Sequence, residues 1–160
     1  MLKRSFAPCC RADAEFLILG SLPGEESLRR QEYYAFKHNA FWRIMGEIFR
    51  FAVDLPYEER LAALRERRVA LWDVCGSAWR EGSLDSNISG HTPNDVPGLL
   101  RECPGIRRIG CNGTASFTLL KRAYPELFER IEVVKLPSTS PAAASISYET
   151  KLASFRKFFE

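Results

Sequence analysis

Four short apolar runs constrain this chain more than any other feature of it. Phe16-Leu17-Ile18-Leu19 is closed by Gly20, and Val69-Ala70-Leu71-Trp72 follows Arg65-Glu66-Arg67-Arg68. Ile109-Gly110-Cys111 follows Ile106-Arg107-Arg108, and Val133-Val134 leads into Lys135-Leu136-Pro137, where proline stops a ladder. Unbroken runs of this kind suit strands buried on both faces of a parallel sheet. Between them the period turns helical. Phe41, Ile44, Met45, Ile48, Phe49 and Ala52 recur at three- and four-residue steps and predict a helix over 40–52, with Asn39 where a cap would stand. Tyr57, Leu61 and Leu64 mark a second helix, Thr114 to Ala123 a third ended by Pro125, and Tyr148 to Phe159 a C-terminal one with Leu152, Phe155 and Phe159 on one stripe.

Strands alternating with helices predict an open α/β fold with helices on both faces of a short parallel sheet of four strands, and a site in the loops at the strands' carboxyl ends. The 160 residues suit a single domain over 1–160, with 1–14 as a peripheral N-terminal segment. The composition is 46% hydrophobic and 27% charged, which excludes the disordered and collagen-like classes. No apolar run is long enough to span a membrane and the first residues lack a secretory core, so a cytoplasmic location is expected. Five cysteines leave one over in any internal disulfide scheme and match no common metal spacing, so they read as reduced packing thiols. A net charge of +3 permits an acidic polymer as partner without requiring one.

Three segments could carry chemistry. Gly20-Ser21-Leu22-Pro23-Gly24 is a glycine-framed turn directly after the first strand, whose backbone N–H groups could hold a phosphate or the edge of a base. An ordinary βα turn is the competing reading, and the segment is neither a dinucleotide fingerprint nor a P-loop. Tyr33 to Trp42 is aromatic-rich and contains Lys37, His38 and Asn39. Phe41 and Trp42 suit the core, whereas Tyr33, Tyr34 and Phe36 precede the helical period and suit stacking on an unpaired base. Asn39 reads equally as a helix cap. Pro137-Ser138-Thr139-Ser140-Pro141-Ala142, leaving the last strand, is small and hydroxyl-rich, which lets a phosphate chain come close. The stretch from Gly76 to Val96 is long for a loop and could be functional or simply mobile. With only His38 and His91, a hydrolytic triad is poorly supported.

Taken in order, the Gly20–Gly24 turn, Tyr33 to Met45, the stretch from Leu71 to Ile88, and Leu136 to Ala142 resemble the uracil-DNA glycosylase superfamily over about residues 15 to 155. The likeness is closest to its hypoxanthine-DNA glycosylase branch, with the branch specific for G:U and G:T mismatches as neighbour. The resemblance implies a three-layer α/β/α sandwich and hydrolysis of an N-glycosidic bond in DNA. It implies that Gly20, Ser21, Leu22, Pro23 and Gly24 line a base pocket, that Tyr34 stacks on the extruded base, and that Asn39 positions the attacking water. It further implies that Pro137, Ser138, Thr139, Ser140, Pro141 and Ala142 approach the DNA strand. Leu22 and Gly24 stand where classical uracil enzymes have an acid and a bulky tyrosine, the last segment has no histidine, and Phe36-Lys37-His38 replaces a His-Pro pair before the asparagine.

The expected enzyme is therefore a monofunctional glycosylase acting as a monomer on double-stranded DNA with a deaminated or mismatched base, and leaving an abasic site. Asp73, at the end of the second strand, would add a hydrogen bond to the flipped base, although such an aspartate also commonly caps a turn or pairs with arginine. No cofactor is needed, and the cysteine spacing does not match an iron–sulfur ligand set. A non-catalytic nucleic-acid-binding domain and a small-molecule hydrolase on a similar sheet are the readings of other classes.

Overall fold

A computed structural model describes residues 2–80, 82–85 and 88–160. Its centre is a parallel sheet made by β2 (Phe16–Gly20), β3 (Val69–Asp73), β6 (Arg108–Asn112) and β7 (Glu132–Leu136), in the order β3-β2-β6-β7. These are the four apolar runs, and the alternation of a pleated strand explains the layers. Phe16, Ile18, Val69, Leu71 and Leu136 face one way, and Leu17, Leu19, Ala70, Ile109 and Cys111 the other. On the first face lie α2 (Phe41–Phe49), α3 (Tyr57–Glu66) and α7 (Tyr148–Phe158). On the second lie α4 (Val96–Glu102), α5 (Thr114–Ala123) and α6 (Leu127–Arg130). The expected three-layer α/β/α sandwich is the observed one.

Helix α2 is held by the face its sequence predicts: Phe41, Ile44 and Met45 are fully buried, each worth about 1.5–3 kcal/mol against exposure. It starts at Phe41 rather than at residue 40 and ends at Phe49, where Arg50 takes a left-handed conformation. Helix α7 is capped by Ser147, whose side chain accepts from the Thr150 N–H, and buries Phe155 and Phe158. Among the described residues no helix is long and apolar enough to cross a membrane, and all five thiols are free.

Two expectations need correction. The long stretch after Gly76 forms β4 (Cys75–Trp79) and β5 (Ser89–Pro93), antiparallel to each other with register shifts between them. The N-terminal residues are not peripheral. β1 (Leu2–Arg4) completes this small sheet in the order β1-β4-β5, Cys9 exchanges backbone hydrogen bonds with Leu71 on the outer edge of β3, and Lys3 and Cys9 are buried. An unpaired outer edge on β3 would expose its backbone groups, and the N-terminal chain satisfies them. The short helix α1 (Glu25–Arg30) was also not legible in the sequence. Asn94 ties the two sheets together, donating from Nδ2 to the carbonyls of Asp73 at 2.8 Å and Cys75 at 3.3 Å.

Candidate active site

β3 lies on one side of β2, and β6 and β7 lie on the other, so the chain reverses direction of growth between β2 and β6. Open α/β sheets bind ligands at such a point, at the carboxyl ends of the strands. The register places Gly20 beside Asp73 and Asn112 beside Leu136 there, bringing the Gly20–Gly24 turn, Asp73 and the segment after Leu136 to one end of the sheet.

The Gly20–Gly24 turn is held through its carbonyls. Gly20 O accepts from the Val74 N–H and Ser21 O from the Cys75 N–H. The buried Arg80 guanidinium donates to Leu22 O and Pro23 O and pairs with Asp85 at 3.2 Å, and the Ser21 hydroxyl donates to Asp85 at 2.6 Å. The N–H groups of Leu22 and Gly24 have no acceptor among the described residues. Leu22 sends its side chain into the core and Pro23 is buried, which leaves backbone as the contribution of both. Gly24 precedes α1, and a side chain on it would press against Ser83.

Gly20 explains the floor of the site. A Cβ there would lie 2.5 Å from Asp73 Oδ1 and 3.1 Å from the Tyr34 hydroxyl, so only glycine lets these two groups approach the strand end. Asp73 is 4% exposed and its Oδ2 has no hydrogen-bond partner among the described residues; the Tyr34 hydroxyl is also without a well-formed bond there, the Asn112 side chain being the polar group beside it. Burial, partly offset by the Arg80 charge, pushes the Asp73 carboxyl up to about 7. The Tyr34 hydroxyl is raised well above the tyrosine range by burial and by Asp73, with Asn112 opposing. Tyr34 sits at φ 55°, a left-handed conformation that costs a bulky residue about 1–2 kcal/mol, and it stacks on Phe41 with centroids 4.0 Å apart at 19°. One face of this ring is therefore already covered, and a base could use only the other.

Asn39 is half-buried, and its Oδ1 accepts from the Phe41 N–H at 2.9 Å. The N-cap of α2 is Ala40 rather than the expected Asn39, but this bond still holds the Asn39 carboxamide at the helix start, and its Nδ2 has no acceptor among the described residues. The next residue joins Asn39 to the last segment, because Ala40 N–H donates to Thr139 O at 2.9 Å. Thr139 is buried and gripped at two points by Asn112, whose Nδ2 donates to its hydroxyl at 3.0 Å and whose Oδ1 accepts from its N–H at 2.9 Å. Gly113, at φ 101°, would bring a side chain within 3.1 Å of Ser138. Pro137, Ser138 and Ser140 are half-buried on the rim, and Pro141 and Ala142 are exposed in a short 3-10 turn begun by the Ser140 hydroxyl.

The structure thus unites Gly20, Tyr34 and Asp73 in one cluster, and Asn39 with Thr139 in another, with Asn112 beside both. Tyr33 does not join them: it is buried, its hydroxyl donating to Ala7 O. Phe36 is 46% exposed. Asn112 was missed in the sequence, although its position at a strand end is the signal that selected Asp73. Arg80 and Asp85 carried no sequence signal, since the turn they hold lies more than fifty residues away. Among the described residues no group of three His, Cys, Asp or Glu side chains is placed to hold a metal ion. A strand end that gathers a buried carboxyl raised toward neutrality, a phenol and two carboxamides offers donors and acceptors to a flat polar heterocycle.

The family described as the uracil DNA glycosylase superfamily matches residues 7–160, and the chain belongs to it. Its class is that of DNA glycosylases, hydrolases acting on N-glycosyl bonds of DNA. The chain is 44% identical over 114 residues to the hypoxanthine DNA glycosylase of Methanosarcina acetivorans, covering 71% of this chain and 72% of that protein. It is 37% identical over 117 residues to the hypoxanthine DNA glycosylase of Methanosarcina barkeri, covering 72% and 74%. In structure it is similar to a Methanosarcina acetivorans protein solved by NMR and described as a candidate uracil DNA glycosylase, with a TM-score of 0.87, 36% identity, and coverage of 99% of this chain and 97% of that one.

Proposed function

We propose that this enzyme removes hypoxanthine from double-stranded DNA as a monofunctional glycosylase, with Asn39 positioning water and the Gly20–Gly24 turn, Tyr34 and Asp73 forming the base pocket. The observation that carries the reading is the pair of buried polar atoms without a well-formed hydrogen bond, Asp73 Oδ2 and the Tyr34 hydroxyl, at the carboxyl end of β2. Buried polar groups are normally satisfied, and two such groups facing one strand end supply what the edge of a base would complete. The relatives named for hypoxanthine support the choice of base.

The target bond is inaccessible in a stacked duplex, so the base must be rotated out, which is easiest where pairing is weak. Hypoxanthine carries an O6 acceptor where adenine carries an amino donor. A neutral Asp73 can donate to that oxygen, whereas an ionised one would repel it and accept from adenine instead. Cleavage passes through an oxocarbenium-like state in which the leaving base gains negative charge. The N–H groups of Leu22 and Gly24 and the protonated acids stabilise that charge, an effect of about 3–4 kcal/mol per well-placed donor. The Asn39 carboxamide, fixed by the Phe41 N–H, holds water against the sugar; lacking a basic pair of its own, it orients rather than deprotonates. Asn112, through Thr139 and Ala40, holds Asn39 and the strand-tracking segment Pro137–Ala142 in register.

The test is incubation with duplexes containing hypoxanthine, uracil or thymine opposite each normal base, scoring alkali-labile abasic sites. Cleavage at hypoxanthine, lost in Asn39→Ala without loss of fold, is the expected result. Cleavage confined to uracil or thymine opposite guanine would replace the substrate assignment, and binding without cleavage of any of them would refute the activity.

A further inference from the structure

The segment after β7 that the proposed function lays against the DNA strand is electrically neutral: Pro137 to Ile146 contains no lysine, arginine or acid. Affinity for phosphates comes largely from cations that displace condensed counterions, so the charge that holds the strand there must come from another element. Three cations are buried among the described residues: Lys3, Arg80 and Lys151. Lys3 lies 3.8 Å from the Glu25 carboxylate, and Arg80 lies 3.2 Å from Asp85. Lys151, 5% exposed, is different. The one hydrogen bond of its ammonium is a 3.4 Å contact to Ser140 O, and no carboxylate acts on it among the described residues.

Nothing in the folded chain offsets that placement. Burial lowers the ammonium's hold on its proton, with no opposing charge. Lys151 is also the fourth residue of α7, at the positive end of the helix, where the dipole disfavours a cation. Glu149, in the same turn, is exposed, and the Glu47 carboxylate meets the Tyr148 hydroxyl at 3.4 Å. A buried cation without an anion is costly until a partner completes it. Its place in the fold says which anion. Ser140, whose carbonyl meets the ammonium, follows Thr139, whose carbonyl accepts from the Ala40 N–H beside Asn39. The uncompensated charge therefore adjoins the stretch that holds the residue assigned to water. The Ser138 and Ser140 hydroxyls accept from the Ser140 and Ala142 N–H groups, which leaves their own protons to donate.

We propose that Lys151 is the counter-charge for the DNA phosphate that flanks the everted nucleotide on the Ser138–Ala142 surface, with the two serine hydroxyls donating to the same group. This rests on the strand-tracking reading of that segment above. The phosphate lies across the Ser140 peptide from the ammonium, inside the screening length of about 8–10 Å, and so feels the charge with little attenuation. Two consequences separate this role from a structural one. Removing the charge lowers the salt dependence of DNA binding, and it does not destabilise the free protein, because an apolar chain of similar length replaces a buried ion that has no partner.

Binding is followed by fluorescence anisotropy over a range of potassium chloride concentrations, on a duplex with a tetrahydrofuran abasic analogue that cannot be cleaved. The proteins are the wild type, Lys151→Met and Lys121→Met, the last on α5 across the sheet. Lys151→Met is expected to weaken binding about tenfold at low salt and to lower the slope of log Kd against log salt concentration by about 0.9. Its unfolding midpoint should stand at or above that of the wild type, and Lys121→Met should keep the wild-type slope. Neutral methylphosphonates are then placed one at a time around the lesion. At one position that weakens the wild type, Lys151→Met should lose nothing further. An unchanged slope, an equal fall in Lys121→Met, losses that add at every position, or a Lys151→Met chain unfolded at the assay temperature would overturn the proposal, while hypoxanthine cleavage by the wild type keeps the glycosylase reading intact. A wild type that neither cuts hypoxanthine duplexes nor binds the abasic one would remove both.

Discussion

Replacing Asp73 by Asn tests the chemistry of the pocket floor through stability, independently of any substrate. The ordinary carboxyl value is 3.8 and burial moves it to about 7 in the folded chain. At about 1.4 kcal/mol for each tenfold change, an ionised Asp73 costs about 4 kcal/mol of folding stability. Because the folded-state value is raised, the stability is fully present below 3.8, where both states are protonated. It is lost progressively as pH rises, because the unfolded chain ionises while the folded one holds its proton, and the loss is complete above about 7. Asparagine keeps the shape and a donor but cannot ionise. The stability advantage of Asp73→Asn over the wild type should therefore grow by about 3 kcal/mol between pH 5 and pH 8, mostly below pH 7. Urea unfolding of both proteins across that range measures it, and taking the difference removes every other titrating group. A constant difference between pH 5 and 8 would refute the raised carboxyl and with it the neutral donor assigned to the pocket.

Other outcomes follow from the same geometry. Asn39→Ala should lower kcat on a hypoxanthine duplex by at least a hundredfold through loss of water placement, while thermal unfolding shows only about 1 kcal/mol from the lost bond to the Phe41 N–H. Asn112→Ala removes both bonds to Thr139 and should cost about 2–3 kcal/mol in chemical denaturation, with kcat reduced more than KM rises because Asn39 loses its register. Gly20→Ala drives a methyl group against Asp73 and Tyr34, and kcat/KM should fall about a hundredfold in the same cleavage assay. Binding to duplex DNA, followed by fluorescence anisotropy, should weaken linearly on a double-logarithmic plot against salt.

The parallel sheet was legible because its strands bury both faces, so Phe16–Leu19 and Val69–Trp72 announce themselves as continuous apolar runs whatever their partners. The small sheet was not. Cys75–Trp79 and Ser89–Pro93 lack apolar alternation, and their order depends on the N-terminal strand and on Asn94, contacts that a local pattern does not contain. The site divides in the same way. Gly20, Asp73 and Asn39 could be selected because a strand end or helix start marks them in the sequence. The clamp of Arg80 and Asp85 on the turn could not, because it exists only once two distant loops meet. Leu22 shows the converse limit: its place in a motif suggested a pocket wall, yet its side chain serves the core and only its backbone is left for the pocket.

In the base pocket proposed above, the segment after β7 has no histidine to donate to the departing base, so that donation would fall to the groups around Gly20. A histidine there could donate to the departing base directly; Pro137–Ala142 offers hydroxyls and backbone instead. The protons available to the leaving group then reside on Asp73, the Tyr34 hydroxyl and the turn N–H groups, of which only Asp73 titrates near neutrality. Hypoxanthine release should accordingly show an alkaline limb near pH 7 in kcat. In Asp73→Asn that limb should vanish while the rate at pH 6 is largely kept, since Nδ2 still donates to the O6 position. Single-turnover pH profiles of the two proteins measure both features. An unchanged alkaline limb in the variant would move the titrating group elsewhere and leave Asp73 as a shape element of the pocket.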